Sequence, residues 1–205
     1  MEKHPLLSKR VKSLGESAAL EMTRKSRELR DKGIDVITLS IGEPDFNTPE
    51  AVKLAAIQAI VDNDTHYPPV PGTADLRKAI VKKLLRDNQL TYNVSQIIVS
   101  NGAKQSIMNA MIALLDEGDE VIVPAPYWVS YPEMVKLAGG TPVVIEAGVE
   151  QDFKITAQLL EQAINSKTKA FIFSSPCNPT GSVYSHDELQ QSAAVFSRNP
   201  QVMIF

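Results

Sequence analysis

Three segments of the 205-residue sequence carry residue types able to handle a ligand. In the first, Asn101-Gly102-Ala103-Lys104 follows the apolar run Ile97-Ile98-Val99 and opens a stretch in which Ile107, Met108, Met111, Ile112 and Leu115 recur at helical spacing. A helix starting there leaves backbone N–H groups free at the carboxyl end of a strand, which is an anion-binding arrangement. The dipole adds only about 0.3–1 kcal/mol at an exposed end, so an anion would need several direct hydrogen bonds as well. An ordinary strand-to-helix turn has the same pattern. The second segment, residues 124–132, holds Tyr127, Tyr131 and the only tryptophan, Trp128. Its aromatics could cover a planar ring or pack as the start of a helix. The third is Ser175-Pro176-Cys177-Asn178-Pro179-Thr180-Gly181, where the Asn178 amide could donate to an oxygen of a bound ring or serve a structural turn. Cys177 has no histidine or acid near it in sequence and reads as an inert small hydrophobe.

The elements that must position these residues alternate. Apolar runs at 96–100, 120–124, 142–146 and 169–174 are separated by expected helices at 103–116, 128–138, 156–165 and 185–197. Ser185 and Glu188 have the spacing of a capping box. Strands that are almost wholly apolar and alternate with helices mean an α/β fold, a mostly parallel sheet covered on both faces in three α/β/α layers. Ligands of such sheets bind outside the carboxyl ends of the strands, and all three segments follow strands. An anion cradle, an aromatic plate and an amide at one sheet edge suit a planar phosphorylated cofactor.

Upstream, the expected order is a helix over 13–32 stopped by Gly33, an apolar run at 36–41, and a helix to Asp62 opened by Thr48 and Pro49. A loop at 66–72 carrying Pro68, Pro69 and Pro71 follows, then a helix from Thr73 through Leu76, Ile80 and Leu84. Residues 202–205 read as one more buried strand, so the chain is expected to be a fragment cut inside its sheet.

Composition narrows the function. With 43% hydrophobic, 22% charged and 6% aromatic residues, disorder, collagen and coiled coil are excluded. The net charge of -3 gives no electrostatic case for nucleic acid or a membrane surface. Residues 1–32 carry +4 and the remainder -7, and a mixed, solvated helix face explains the former. One cysteine excludes a disulfide framework and a multi-cysteine metal site, and His4, His66 and His186 are scattered, so no metal is expected. Neither GxGxxG nor GxxxxGK[ST] occurs. No apolar run reaches the length of a membrane span or a signal peptide, and a cytoplasmic location is expected.

Taken together, Ser40-Ile41-Gly42-Glu43-Pro44-Asp45-Phe46, Tyr67 with Pro71-Gly72, Ser100-Asn101-Gly102-Ala103-Lys104-Gln105, the 126–133 segment and Asn178-Pro179-Thr180-Gly181 resemble fold type I pyridoxal-phosphate enzymes. Within them the resemblance is to class I aminotransferases close to bacterial aspartate aminotransferases. It covers essentially the whole chain, which looks like an N-terminal half. It implies that residues 1–45 form the N-terminal helix and arm of a small domain, and residues 46–205 an incomplete, cofactor-binding large domain. It also implies that Ala103 and Lys104 hold the phosphate of pyridoxal 5'-phosphate, that Trp128 stacks on the pyridine ring and that Asn178 bonds the ring's 3-oxygen. Gly42 would meet the substrate α-carboxylate, with Trp128 and Asn178 also bordering the substrate. Tyr67 would reach the phosphate of a neighbouring subunit, making a homodimer, and the bond before Pro179 would be cis.

The implied activity is amino-group transfer between an aspartate-like amino acid and a 2-oxo acid, in amino-acid metabolism and biosynthesis. A carbon–sulfur lyase is the nearest alternative. A non-catalytic, aminotransferase-like effector-binding domain is a second, but residues 1–32 are too short for the DNA-binding domain that precedes one in a transcription regulator. In the family, the Schiff-base lysine, the carboxylate on the pyridine nitrogen and the arginine on the substrate carboxylate all follow the strand that ends here at Phe205. No catalytic residue is therefore expected in this chain, and the purified 205 residues should not transaminate. Keto acid formed from aspartate by that chain alone would overturn this expectation.

Overall fold

A computed structural model describes residues 5–15, 18–39 and 42–205. Its elements run α1 (Lys9–Ser13), α2 (Ala18–Asp31), α3 (Glu50–Val61), α4 (Ala74–Asn88), α5 (Ala103–Leu114), β1 (Glu120–Ala125), α6 (Ser130–Ala138), β2 (Thr141–Glu146), α7 (Ala157–Ala163), β3 (Thr168–Phe171), α8 (His186–Arg198) and β4 (Met203–Ile204). Short 3₁₀ turns occur at Val94–Gln96 and Val149–Gln151. The chain divides into two compact units, one of Met1–Glu16 with Lys104–Phe205 and the other of Ser17–Ala103.

The first unit is built on a four-stranded sheet in the order β2-β1-β3-β4, with every pairing parallel. In β1, Val121 and Val123 face one way and Ile122 the other, and all three are inaccessible to solvent. Val121 and Val123, with Ala170 and Ile172, pack under Met111 of α5 and Tyr131 and Val135 of α6. Ile122 and Phe171 pack under Leu160 of α7 and Val195 of α8. Each fully buried Val or Ile of this kind stabilises by about 1.5–3 kcal/mol, so two covered faces hold the sheet. The expected three-layer α/β architecture is therefore present.

Helix ends follow local chemistry. Ser185 Oγ accepts from Glu188 N at 3.3 Å and the Glu188 carboxylate accepts from Ser185 N at 2.6 Å, the expected capping box. Gly139, at φ 99°, ends α6 in a conformation that penalises a Cβ. Near the N-terminus α1 lies on α6, where Gly15 N donates to Glu133 Oε2 at 2.9 Å.

Several expectations change. The helix expected over 13–32 starts later, at Ala18, because Leu14 is extended after a separate short helix α1, and α2 ends at Asp31 with Gly33 at φ 79°. Residues 36–39 form no strand, with Ile37 86% and Leu39 92% exposed, and Ser40 and Ile41 lie outside the described residues. Pro49, rather than Thr48, occupies the cap position of α3, with no side-chain cap. Residues 96–100 form no strand either: after the 3₁₀ turn the chain is extended, with a single ladder-like bond from Val99 N to Pro71 O at 3.0 Å. An apolar run becomes a strand only where a neighbour takes its backbone groups, and none runs beside this one among the described residues. β4 is two residues long and half-exposed rather than buried, because it pairs with β3 on one side only.

In the second unit the loop at 66–72 is irregular, as expected of its prolines. Gly72, at φ 96°, closes against Val99 so tightly that a Cβ would lie 2.6 Å from Val99 Cγ2. Gly72→Ala is expected to destabilise the protein by about 1–3 kcal/mol, through overpacking and the left-handed φ together. Gly148 meets nothing within 4 Å, and Gly148→Ala should stay within about 0.5 kcal/mol of the parent. Thermal unfolding of both variants checks the pair.

Candidate functional site

Because β1 and β3 run parallel, the loops that leave their carboxyl ends emerge at one edge of the sheet. From β1 the chain passes through Pro126, Tyr127 and Trp128 into α6. From β3 it passes through Ser174, Cys177 and Asn178 into α8. The two loops are joined where Cys177 Sγ donates to the carbonyl oxygen of Pro126 at 3.3 Å. Trp128 is half-buried and meets Tyr131 edge to face, with ring centroids 5.5 Å apart at 87°, which limits its tilt.

A third sequence segment reaches the same place. Lys104, second residue of α5, lies with Nζ 4.8 Å from the centroid of the Trp128 ring. That cation–π contact is the charge partner the structure gives it, since no carboxylate among the described residues pairs with it. The N–H groups of Ala103 and Lys104 are taken by no backbone acceptor among the described residues. Asn178 is exposed, its own N–H donates to Ser174 Oγ at 3.3 Å, and its side-chain amide is unclaimed among the described residues. The Asn178–Pro179 bond is cis as expected, and so are Ala125–Pro126 and Ser175–Pro176, which the sequence did not announce. Gly42, in exposed irregular chain, and Tyr67, fully exposed, belong to the second unit together with Ala103.

A cation, an indole face and an unclaimed amide match a phosphate, a flat ring and a ring oxygen, so the residues present fit pyridoxal phosphate. A ring stacked on Trp128 requires either the face opposite Lys104 or a shift of that long, exposed side chain. The pocket that both loops border has room for only about one water, about 10 Å³, and is too small to take a cofactor. Among the described residues no group of His, Cys, Asp and Glu is arranged for a metal ion, and no helix is long and apolar enough to cross a membrane.

The family model for aminotransferase class I and II matches residues 34–205. The chain belongs to that family. Over 188 residues it is 54% identical to a probable aspartate/prephenate aminotransferase of Rhizobium leguminosarum bv. phaseoli, covering 92% of this chain and 47% of that protein. Over 194 residues it is 52% identical to an aspartate aminotransferase of Bacillus sp. (strain YM-2), covering 95% and 50%. The solved aspartate aminotransferase of Rhizobium meliloti superposes with a TM-score of 0.93 at 42% identity, covering 97% of this chain and 50% of that one. That of Thermus thermophilus with maleate gives 0.91 at 43%, covering 96% and 52%. The chain thus spans about half the length of the relatives it matches, and its fold is that of the aspartate aminotransferases.

What holds the Asn178 loop of this aminotransferase chain is a cluster that sequence reading missed. Lys154 Nζ lies 2.9 Å from Glu188 Oε1 and 3.4 Å from Asp152 Oδ2, and donates to Val183 O at 3.4 Å. Ile155 N donates to the Tyr184 hydroxyl at 3.0 Å. The capping box at Glu188 was legible, but its second role was not, because Lys154 lies 34 residues away. The Ser185 N–H, followed by the Lys154 ammonium and the Ser185 hydroxyl, holds the Glu188 carboxyl down to about 2 from an ordinary 4.5. Glu188 in turn raises the pKa of Lys154, and burial raises that of Tyr184.

A carboxyl held low contributes stability above its unfolded value and loses it as pH falls toward its folded value. Glu188 should therefore stabilise the aminotransferase fold at neutral pH and cease to do so between 4.5 and about 2. With 39% of the side chain exposed, screening limits the expected cost of Glu188→Gln at neutral pH to about 1 kcal/mol. Thermal unfolding of parent and variant across this range should show their difference vanish in acid, and a difference that persists at pH 2 would contradict the assignment.

Proposed function

We propose that the full-length protein is a pyridoxal-phosphate-dependent aminotransferase that moves an amino group between an aspartate-like amino acid and a 2-oxo acid. The observation that carries this reading is the convergence of Lys104, Trp128 and the Asn178 loop at one sheet edge, in a chain of this family. The names of the relatives, and the maleate that accompanies the Thermus thermophilus enzyme, support a dicarboxylate substrate.

In this reading the Ala103 and Lys104 N–H groups hold the phosphate at the start of α5, where the dipole and the ammonium add positive potential. Trp128 covers the ring and excludes water from that face. Asn178 donates to the ring's 3-oxygen. The Gly42 backbone receives the substrate α-carboxylate, and Trp128 and Asn178 border the substrate. Tyr67 reaches the phosphate held by a second copy, so the working form is a homodimer. Pyridoxal phosphate supplies, when bound, the electron sink that lets the substrate α-proton leave. This chain's residues bind and orient; none is assigned to the proton transfer. Residues 1–45 belong to the small domain and 46–205 to the large one, and the enzyme works in the cytoplasm in amino-acid metabolism.

The test is a titration of the full-length protein with pyridoxal phosphate, followed by product analysis with aspartate and 2-oxoglutarate. Keto acid formation supports the proposal, ammonia and thiol released from a sulfur amino acid would mark a lyase instead, and no cofactor binding would overturn it. Asn178→Ala removes one hydrogen bond to a charged oxygen and should weaken cofactor binding by about 10- to 100-fold.

A further inference from the structure

After β2 the chain makes a turn with unusual backbone. Asp152 and Phe153 are consecutive residues at φ 52° and 55°, a conformation in which a bulky side chain is disfavoured. The turn closes on itself through Asp152 N to Val149 O at 2.9 Å, Phe153 N to Gly148 O at 3.0 Å and Lys154 N to Gln151 O at 3.0 Å. It is also fastened to the stretch that leads into α8. Ser182 Oγ lies 3.5 Å from Asp152 Oδ1, Ile155 N donates to the Tyr184 hydroxyl, and Lys154 grips Glu188 and the carbonyl of Val183.

The effect of this fastening is to aim one ring. Phe153 borders the same 10 Å³ space as Pro126, Tyr127, Cys177 and Tyr184, directly where Cys177 Sγ bridges to Pro126 O. Tyr127 and Cys177 are the chain neighbours of Trp128 and Asn178. With room for only about one water, the pocket leaves little slack between the ring and the residues of the two loops.

We propose that Phe153, held in a left-handed turn by the Asp152–Lys154–Glu188 cluster, is a positioning residue that props the Trp128 and Asn178 loops against each other and so sets the spacing of ring plate and amide. The loop geometry stands on the contacts above; the consequence for cofactor binding rests on the function proposed in the preceding subsection. Removing the ring leaves the Cys177–Pro126 bridge as the direct hydrogen bond between the two loops, and the amide then samples positions away from the ring oxygen.

The experiment compares Phe153→Ala, Phe153→Leu and Val195→Ala in the full-length protein, Val195 being buried on the opposite face of the sheet from Trp128. Without cofactor, Phe153→Ala should speed hydrogen exchange in residues 124–131 and 174–184 together and quicken alkylation of Cys177 by iodoacetamide, located by peptide mapping. With pyridoxal phosphate added, its dissociation constant should rise by about tenfold, the scale of losing a supporting residue. Phe153→Leu should recover part of each effect. Val195→Ala should lower thermal stability without changing loop exchange, alkylation or cofactor affinity. Parent-like exchange and alkylation in Phe153→Ala would overturn the proposal, as would an equal loss of cofactor affinity in Val195→Ala. If Phe153→Ala does not fold, Phe153→Leu and Lys154→Met carry the same comparison, and unchanged loop exchange in both overturns it. A parent protein that binds no pyridoxal phosphate overturns the proposed function, while exchange and alkylation still decide whether Phe153 sets the loops.

Discussion

The pairing of β1 with β3, with Val121 opposite Ala170 and Ile122 opposite Phe171, is the contact on which the first unit depends. A parallel pair sends both of its carboxyl ends to the same edge, whatever lies in the connections. That one fact brings Trp128 and Asn178, fifty residues apart in sequence, onto neighbouring loops. The register also decides the cores, since a slip by one residue would turn Ile122 toward α5 and α6 and expose Val121 and Val123 to the wrong face. Position in the sheet and composition of the two cores are therefore a single choice.

On that edge, rigidity comes from unlike sources. The Trp128 loop is fixed by packing, through the edge-to-face contact with Tyr131, a ring that is itself part of the core under α6. The Asn178 loop is fixed by polar groups, with Lys154, Glu188 and Tyr184 holding its far end and Ser174 Oγ its near one. Phe153 of the left-handed Asp152–Phe153 turn borders the same pocket as both loops, and the turn's strain of about 1–2 kcal/mol per residue is sustained by the bonds around it.

The second unit is organised differently. Its helices α3 and α4 bury no residue completely, and Val52, Leu54, Ile57 and Ile60 of α3 are each more than half exposed. Tyr67, to which a role in a second copy is proposed, belongs to this same unit, on a loop held by Gly72 against Val99.

Sequence alone determined the alternation of strands and helices from Glu120 to Arg198, the parallel sheet with two covered faces, the capping box at Ser185 and the three loops as candidate site. These are local or periodic properties, carried by side-chain spacing of two or 3.6 residues and by turn chemistry. The motifs were also sufficient for the family and for the cis bond before Pro179. Only the tertiary structure decided that residues 96–100 are not a strand, that β4 is short and half-exposed, and that the N-terminal helix starts at Ala18 after a separate short helix. Strand formation depends on a partner that no local pattern names. The Lys154–Glu188 pair, the Cys177–Pro126 bridge and the place of Phe153 were invisible for the same reason. Each joins residues dozens of positions apart, and their meeting is a product of the sheet's register and not of anything either residue carries by itself.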